Sequence, residues 1–260
     1  MNRRTFAQRV KQLLAPIFVA LAAVGKWILP ALKFGLPFLK TFATMLISIA
    51  LYAQAWGWKF AAGFVLLIFV HEAGHLIAAR LMGLNVGWPV FIPFMGALIA
   101  LKEAPRNAWV ESVVGVGGPL LGGLGALAVG AVYFVTGYPL FLVLAYSGLF
   151  LNLFNLIPIV PLDGGRIVSA ISPWFWVIGL IIIVPFLLWR MSGSGILILL
   201  IVAMSLPRVI ALFRRRTPES VRYFECTRGQ RWAMAVLYFG LLAGLGGAMG
   251  FLHEMLGDFI

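Results

Sequence analysis

The stretch FAAGFVLLIFVHEAGHLIAAR, residues 60–80, decides how the rest of the chain is read. Its apolar length is that of a helix crossing a bilayer, which takes about 20 residues. Yet it carries two histidines and a glutamate. Ionisable groups at membrane depth are costly and need a functional reason. His71 and His75 stand four apart, so on a helix they project from one face and can share one metal ion. Glu72, next to the first of them, can hold a water bound to that metal. The plainer reading is a pair of histidines hydrogen-bonded to neighbouring helices. It leaves Glu72 unexplained.

The surrounding composition agrees with a membrane setting. The 260 residues are 62% hydrophobic and 11% charged, against about 45–50% apolar and about 25% charged in a soluble domain. Mean hydropathy is +1.02. These values exclude a soluble globular protein, a disordered chain and a disulfide scaffold. Long apolar blocks in place of short alternating segments exclude a membrane β-barrel. The expected fold is an all-α polytopic membrane protein. Spans are predicted at about 41–57, 59–82, 110–135, 139–160, 173–190, 195–213 and 233–252, six to seven in all. Residues 1–40 read as an amphipathic interfacial segment, because Lys26, Lys33 and Lys40 keep a seven-residue register between Pro16, Pro30 and Pro37. An extra span over 12–32 is the rival, opposed by about 2.5–3.5 kcal/mol for a lysine near its centre. Residues 41–213 form the transmembrane core, 214–232 a basic loop and 233–260 a last membrane helix. The start lacks a compact apolar core with a small-residue cleavage site, so no removed signal peptide is expected.

The net charge of +12 is read as topology rather than as a nucleic-acid signal. With the N-terminus in the cytoplasm, every Lys and Arg except Lys59 and Arg190 falls on the inner side. The expected location is the cell membrane, with the site opening to the cytoplasm.

Zinc with an open fourth position needs three protein ligands. The chain holds 3 His, 1 Cys and 8 Asp and Glu, few enough to weigh one by one. His253 and Asp258 lie at the far end of the last span. Cys226, Glu219 and Glu225 lie in the basic loop, and Glu103 and Glu111 near the interface. Asp163 remains, at the inner end of the 139–160 run and thus at the depth of HEAGH. It sits in FNLIPIVPLDGGR (154–166), where Pro158 and Pro161 stop regular helix and Gly164 and Gly165 allow close backbone approach. Irregular backbone at membrane depth must be covered by protein or line a cavity. Asn155, eight residues before Asp163, could donate its amide to a substrate carbonyl or developing oxyanion. Alternatively it bonds a backbone group freed near Pro158.

HExxH in one span and NxxPxxPLDGG in a later one resemble the site-2 protease family of intramembrane zinc metalloproteases, over roughly residues 60–170. The resemblance implies His71, His75 and Asp163 as ligands of a single zinc, Glu72 as catalytic base, and a substrate or transition-state contact for Asn155. Two departures stand out. The family often has Gly-Pro followed three residues on by Asn, whereas VGGPLLGG (116–123) has Gly118, Pro119 and then Gly122. Neither a PDZ nor a CBS domain is seen.

Between the motifs, the apolar stretches 90–94 and 97–101 flank Met95 and Gly96. They are predicted to pair as a hairpin, similar to the family's membrane-dipping β-hairpin. Phe91, Ile92, Phe94, Gly96, Leu98 and Ile99 would offer a strand edge to an unwound substrate helix. A passive interfacial anchor is the alternative. The expected partners are a membrane-protein substrate and the lipid bilayer, with no nucleic acid. The glycine pairs Gly118/Gly122, Gly240/Gly244 and Gly246/Gly250 are read as helix contacts without catalytic meaning. Trp174, Trp176 and Trp189 are read as interfacial anchors. The expected activity is regulated intramembrane proteolysis. A zinc-binding scaffold that does not cut and a transporter are the rivals. Intact Glu72 opposes the first, and the scarcity of other buried charge opposes the second.

Overall fold

The computed structural model describes residues 35–93, 96–98, 103–189, 195–213 and 217–257. The lysine register at 26 and 33, Phe94, Ile99, Arg190 and Asp258 lie outside them. Helix α1 (Gly35–Trp56) carries Pro37 in its first turn, where the missing N–H costs no helical bond. It therefore takes in the last residues of the segment expected to lie on the surface. Gly57, at φ 78°, separates it from α2 (Trp58–Leu81). Arg106 covers the end of α2 by donating from Nη2 to the Met82 carbonyl at 3.0 Å.

Two short strands follow, β1 (Val90–Ile92) and β2 (Gly96–Leu98), paired antiparallel with Val90 opposite Leu98 and Ile92 opposite Gly96. Gly96, expected in the connection, is thus a strand residue. Strand β1 is fastened to α1. Thr41 Oγ1 donates to the Pro89 carbonyl (2.6 Å), and the Phe91 N–H donates to Thr44 Oγ1 (3.2 Å).

Helix α3 (Ala108–Thr136) starts at an Asn107 cap whose side chain accepts from the Val110 N–H at 2.9 Å. After it come α4 (Pro139–Asn155), α5 (Asp163–Ile171), α6 (Phe175–Trp189), α7 (Gly195–Phe213), α8 (Pro218–Tyr223) and α9 (Arg228–Gly257). The run read as a span to residue 160 stops at Asn155, ahead of the two prolines. Among the described residues, α1, α2, α3 and α9 are long and apolar enough to cross a membrane, and Pro139–Asn155, Phe175–Pro185 and Leu199–Phe213 are shorter apolar helices. Leu36, Phe38, Leu39, Phe42, Leu46 and Ile47 of α1 are all exposed. An apolar surface of that extent suits lipid rather than water.

The core lies where α3, α4, α5 and α9 meet around Leu142, Ala145, Leu149, Ile167, Val168 and Tyr238. Helices α2 and α3 cross without spare room: a Cβ on Gly74 would run into the Gly117 carbonyl oxygen. By contrast Gly240, Gly244, Gly246 and Gly250 have nothing within 4 Å, so the helix contacts expected of those α9 pairs are not made by the described residues.

Carbonyls of the segment between α4 and α5, and of α5 itself, accept from side-chain donors. Tyr238 Oη donates to the Leu156 carbonyl at 2.8 Å, and Trp176 Nε1 to the Gly165 carbonyl at 2.7 Å. Arg231 Nη1 donates to the Ile171 carbonyl at 2.6 Å. Trp176 is therefore no interfacial anchor; it is buried beneath the DGG turn, whereas Trp174 is half exposed. The Trp189 side chain lies outside the described atoms. Trp176→Phe keeps an aromatic side chain but removes the N–H and part of the buried volume, and is expected to cost about 1–3 kcal/mol. A thermal melt of the detergent-solubilised protein reads this out; an unchanged midpoint would remove Trp176 from the set that holds Asp163.

Candidate metal centre

Helix α2 brings His71, Glu72 and His75 to its buried face, with exposures of 4%, 8% and 7%. The start of α5 brings Asp163, also buried. His71 Nε2 and His75 Nε2 each lie 3.1 Å from Asp163 Oδ2, and 3.2 Å from each other. Among the described residues this is the one cluster of ligand-type side chains, with its three atoms within 4.8 Å of one another. The other oxygen, Asp163 Oδ1, faces Arg166 Nη1 at 3.7 Å, one turn further along α5.

The hydrogen bonds fix where the imidazole protons are. His75 Nδ1 lies 2.8 Å from the Val114 carbonyl, which only accepts, so His75 donates from Nδ1. His71 Nδ1 lies 2.8 Å from Asn152 Oδ1. The amide of Asn152 is oriented by its own Nδ2, which donates to the Gly148 carbonyl at 2.7 Å. Oδ1 must then face His71, and His71 also donates from Nδ1. With both rings neutral, as metal ligation requires, the two Nε2 atoms are lone pairs. They meet the Asp163 carboxylate as three acceptors with no donor among them, a set that repels itself unless a cation lies between. The spacing suits zinc. Bonds of about 2.0–2.2 Å in a tetrahedron put neighbouring ligand atoms about 3.4 Å apart. The donor set, two neutral imidazoles and one carboxylate, is also one zinc takes.

Glu72 sits on the first turn of HEAGH, and its carboxylate makes no hydrogen bond to any described residue. The structure does not bring Asn155 to the cluster. Its Nδ2 donates to the Leu151 carbonyl of its own helix at 3.0 Å. Asn152, one turn earlier, is the asparagine at the site. A lone amide inside the apolar run LFLNLF (149–154) is the signal that would have found it. The pair Gly118/Gly122 also belongs here: a Cβ on Gly118 would enter the His75 ring, and one on Gly122 would meet Asn152 and, at 3.0 Å, the His71 Cβ. Glu111 is buried but engaged elsewhere. It accepts from Tyr223 Oη at 2.7 Å and lies 3.5 Å from Arg208. Burial and that carboxylate push the Tyr223 phenol well above its ordinary pKa.

Fold and site together define a multi-pass helical membrane protein with a buried His–His–Asp cluster that could hold a metal ion. Residues 136–176, which hold α4, the irregular segment and α5, match Peptidase family M50, the site-2 protease family. HEAGH lies outside that matched stretch. The chain is 32% identical over 138 residues to a zinc metalloprotease of Methanocaldococcus jannaschii, covering 50% of this chain and 39% of that relative. It is 30% identical over 109 residues to a Synechocystis protein provisionally named a zinc metalloprotease, covering 40% of this chain and 28% of that one. The matched stretches span less than half the length of these curated relatives.

Proposed function

We propose that the chain is an intramembrane zinc metalloprotease of the site-2 type, hydrolysing a peptide bond within or near a transmembrane segment of another membrane protein. One observation carries this reading: the ligand atoms of His71, His75 and Asp163 converge beside a buried Glu72 whose carboxylate makes no hydrogen bond to a described residue. A single zinc ion held by those three residues supplies a Lewis acid and a water of lowered pKa. Glu72 accepts the proton of the attacking water and delivers it to the leaving amine nitrogen. The Nδ1 bonds to Val114 and Asn152 keep both imidazoles aimed while this happens.

A substrate helix has to unwind before its peptide bond is reached, and its freed N–H and C=O groups then need partners. Strand addition to the hairpin supplies them. The outer edge of β1 is taken by Thr41 and Thr44, so β2 is the strand offered to the substrate. The three shorter apolar helices complete the membrane-embedded core. The asymmetry of Lys and Arg supports a cytoplasmic N-terminus and a site that draws water from that side.

The full chain, purified in detergent and given a single-span reporter substrate, is expected to carry zinc and to cut. Dialysis against a chelator should abolish cleavage, and added zinc should restore it. Bound zinc with no cleavage of any membrane reporter would favour the scaffold reading. Absence of zinc from the purified protein would sink both.

A further inference from the structure

The site departs from the family pattern at Gly122, and the structure offers a reason on the opposite helix. The Asn152 side chain occupies the space that Gly122 leaves open: a Cβ at 122 would meet its Oδ1 and, at 3.0 Å, its Nδ2. Asn152 is 1% exposed and fully bonded, with Oδ1 accepting from His71 Nδ1 (2.8 Å) and Nδ2 donating to the Gly148 carbonyl (2.7 Å). A lone amide is expensive in the middle of an apolar helix unless both ends are satisfied, and here both are.

We propose that Asn152 is the residue that positions His71, and that Gly122 is glycine in order to admit it. The Asn152 carbonyl oxygen holds the His71 proton on Nδ1, which leaves Nε2 as the lone pair aimed at Asp163. Without that acceptor the ring is free to turn or to take the other tautomer, which would put a proton where a metal bond should be. The proposal rests on the reading that the cluster binds zinc. It adds a reciprocal relation between positions 122 and 152. The Cβ that Gly122 lacks would lie from the Asn152 Oδ1 within the reach of an asparagine's own Cβ-to-Oδ1 span. An asparagine at 122 can therefore set its carbonyl oxygen where Asn152 now sets its own, once the side chain at 152 is removed.

The test is metal affinity in the full-length, detergent-solubilised protein, measured by chelator competition, with the cobalt(II) absorption spectrum as a probe of ligand geometry. Asn152→Ala is expected to weaken zinc binding roughly 10–100-fold, the usual cost of losing a partner that orients a ligand, and to change the cobalt spectrum. Gly122→Asn alone is expected to do worse, because two amides then compete for one space. The double variant Gly122→Asn/Asn152→Ala is expected to recover most of the affinity and the wild-type spectrum. Recovery by the double variant separates positioning from plain stability, and it stands as a test even if Asn152→Ala folds poorly. Wild-type affinity and spectrum in Asn152→Ala would overturn the proposal, as would a double variant no better than Asn152→Ala. If the wild-type protein itself binds no zinc, the metal reading beneath it falls as well, and that outcome is visible before any variant is made.

Discussion

Glu72→Gln is expected to keep its zinc and to cut about two to four orders of magnitude more slowly. The substitution changes one oxygen to an NH2 group and leaves the shape of the side chain alone. An amide accepts no proton at working pH, so the attacking water keeps its proton and the leaving amine receives none. The fold should tolerate the change, because the Glu72 carboxylate makes no hydrogen bond to any described residue that would be lost. The ligand atoms are equally untouched: His71, His75 and Asp163 converge on one another without a hydrogen bond to Glu72. The measurement is a pair: zinc per chain, and the rate of reporter cleavage at saturating substrate. A variant that retains zinc and cleaves within tenfold of wild type would remove Glu72 from the proton transfer. Loss of zinc would instead make Glu72 part of the ligand shell.

Gly118→Ala is expected to damage the packing and the candidate metal cluster together. The added carbon would enter the His75 imidazole, meeting Nε2, Cε1 and Cδ2 together. The ring has little freedom to yield, since His75 donates from Nδ1 to the Val114 carbonyl on the same helix as Gly118. Moving α2 and α3 apart to make room would undo their close contact at Gly74 and Gly117. Overpacking of this kind costs about 1–3 kcal/mol, and displacement of a ligand atom should remove zinc binding as well. The control is Gly240→Ala, at a helical glycine with nothing within 4 Å. There the better helix propensity of alanine, about 1 kcal/mol, should leave stability unchanged or raised. Zinc content and melting temperature of the two variants decide the matter. A zinc-replete Gly118→Ala protein would mean that the His75 ring moves more easily than its hydrogen bond suggests.

Both halves of the candidate site were legible because membrane burial makes ionisable residues rare. HEAGH stands out inside an apolar run, and Asp163 stands out beside two prolines and two glycines. What the sequence hid is mostly what depends on a second helix. Asn152 and Asn155 are three residues apart, about 4.5 Å along the helix axis, and differ modestly in angle. Only the placement of α2 and α3 makes one of them His71's partner. The spacing to Asp163 favoured Asn155, whose amide turns back onto Leu151. The glycine pairs look alike in sequence, yet Gly118 and Gly122 press on the histidine pair while those of α9 meet nothing. Helices α5 and α8 are too short for a hydropathy window to separate from the loops around them. Trp176 was mistaken for an interfacial residue because it stands near a helix end, which is also where the DGG turn needs a donor.

Three side-chain donors, Trp176, Arg231 and Tyr238, all later in the chain than Asp163, bond the carbonyls of Gly165 and Ile171 in α5 and of Leu156 before it. This bears on the order of biosynthesis. HEAGH is made with α2, but the supports at Leu156 and Ile171, on either side of Asp163, are absent until α9 has been made and docked. A half-synthesised chain therefore carries its two histidines without a firmly held carboxylate to complete them. The support of the candidate metal cluster is thus completed late in synthesis, when α9 docks.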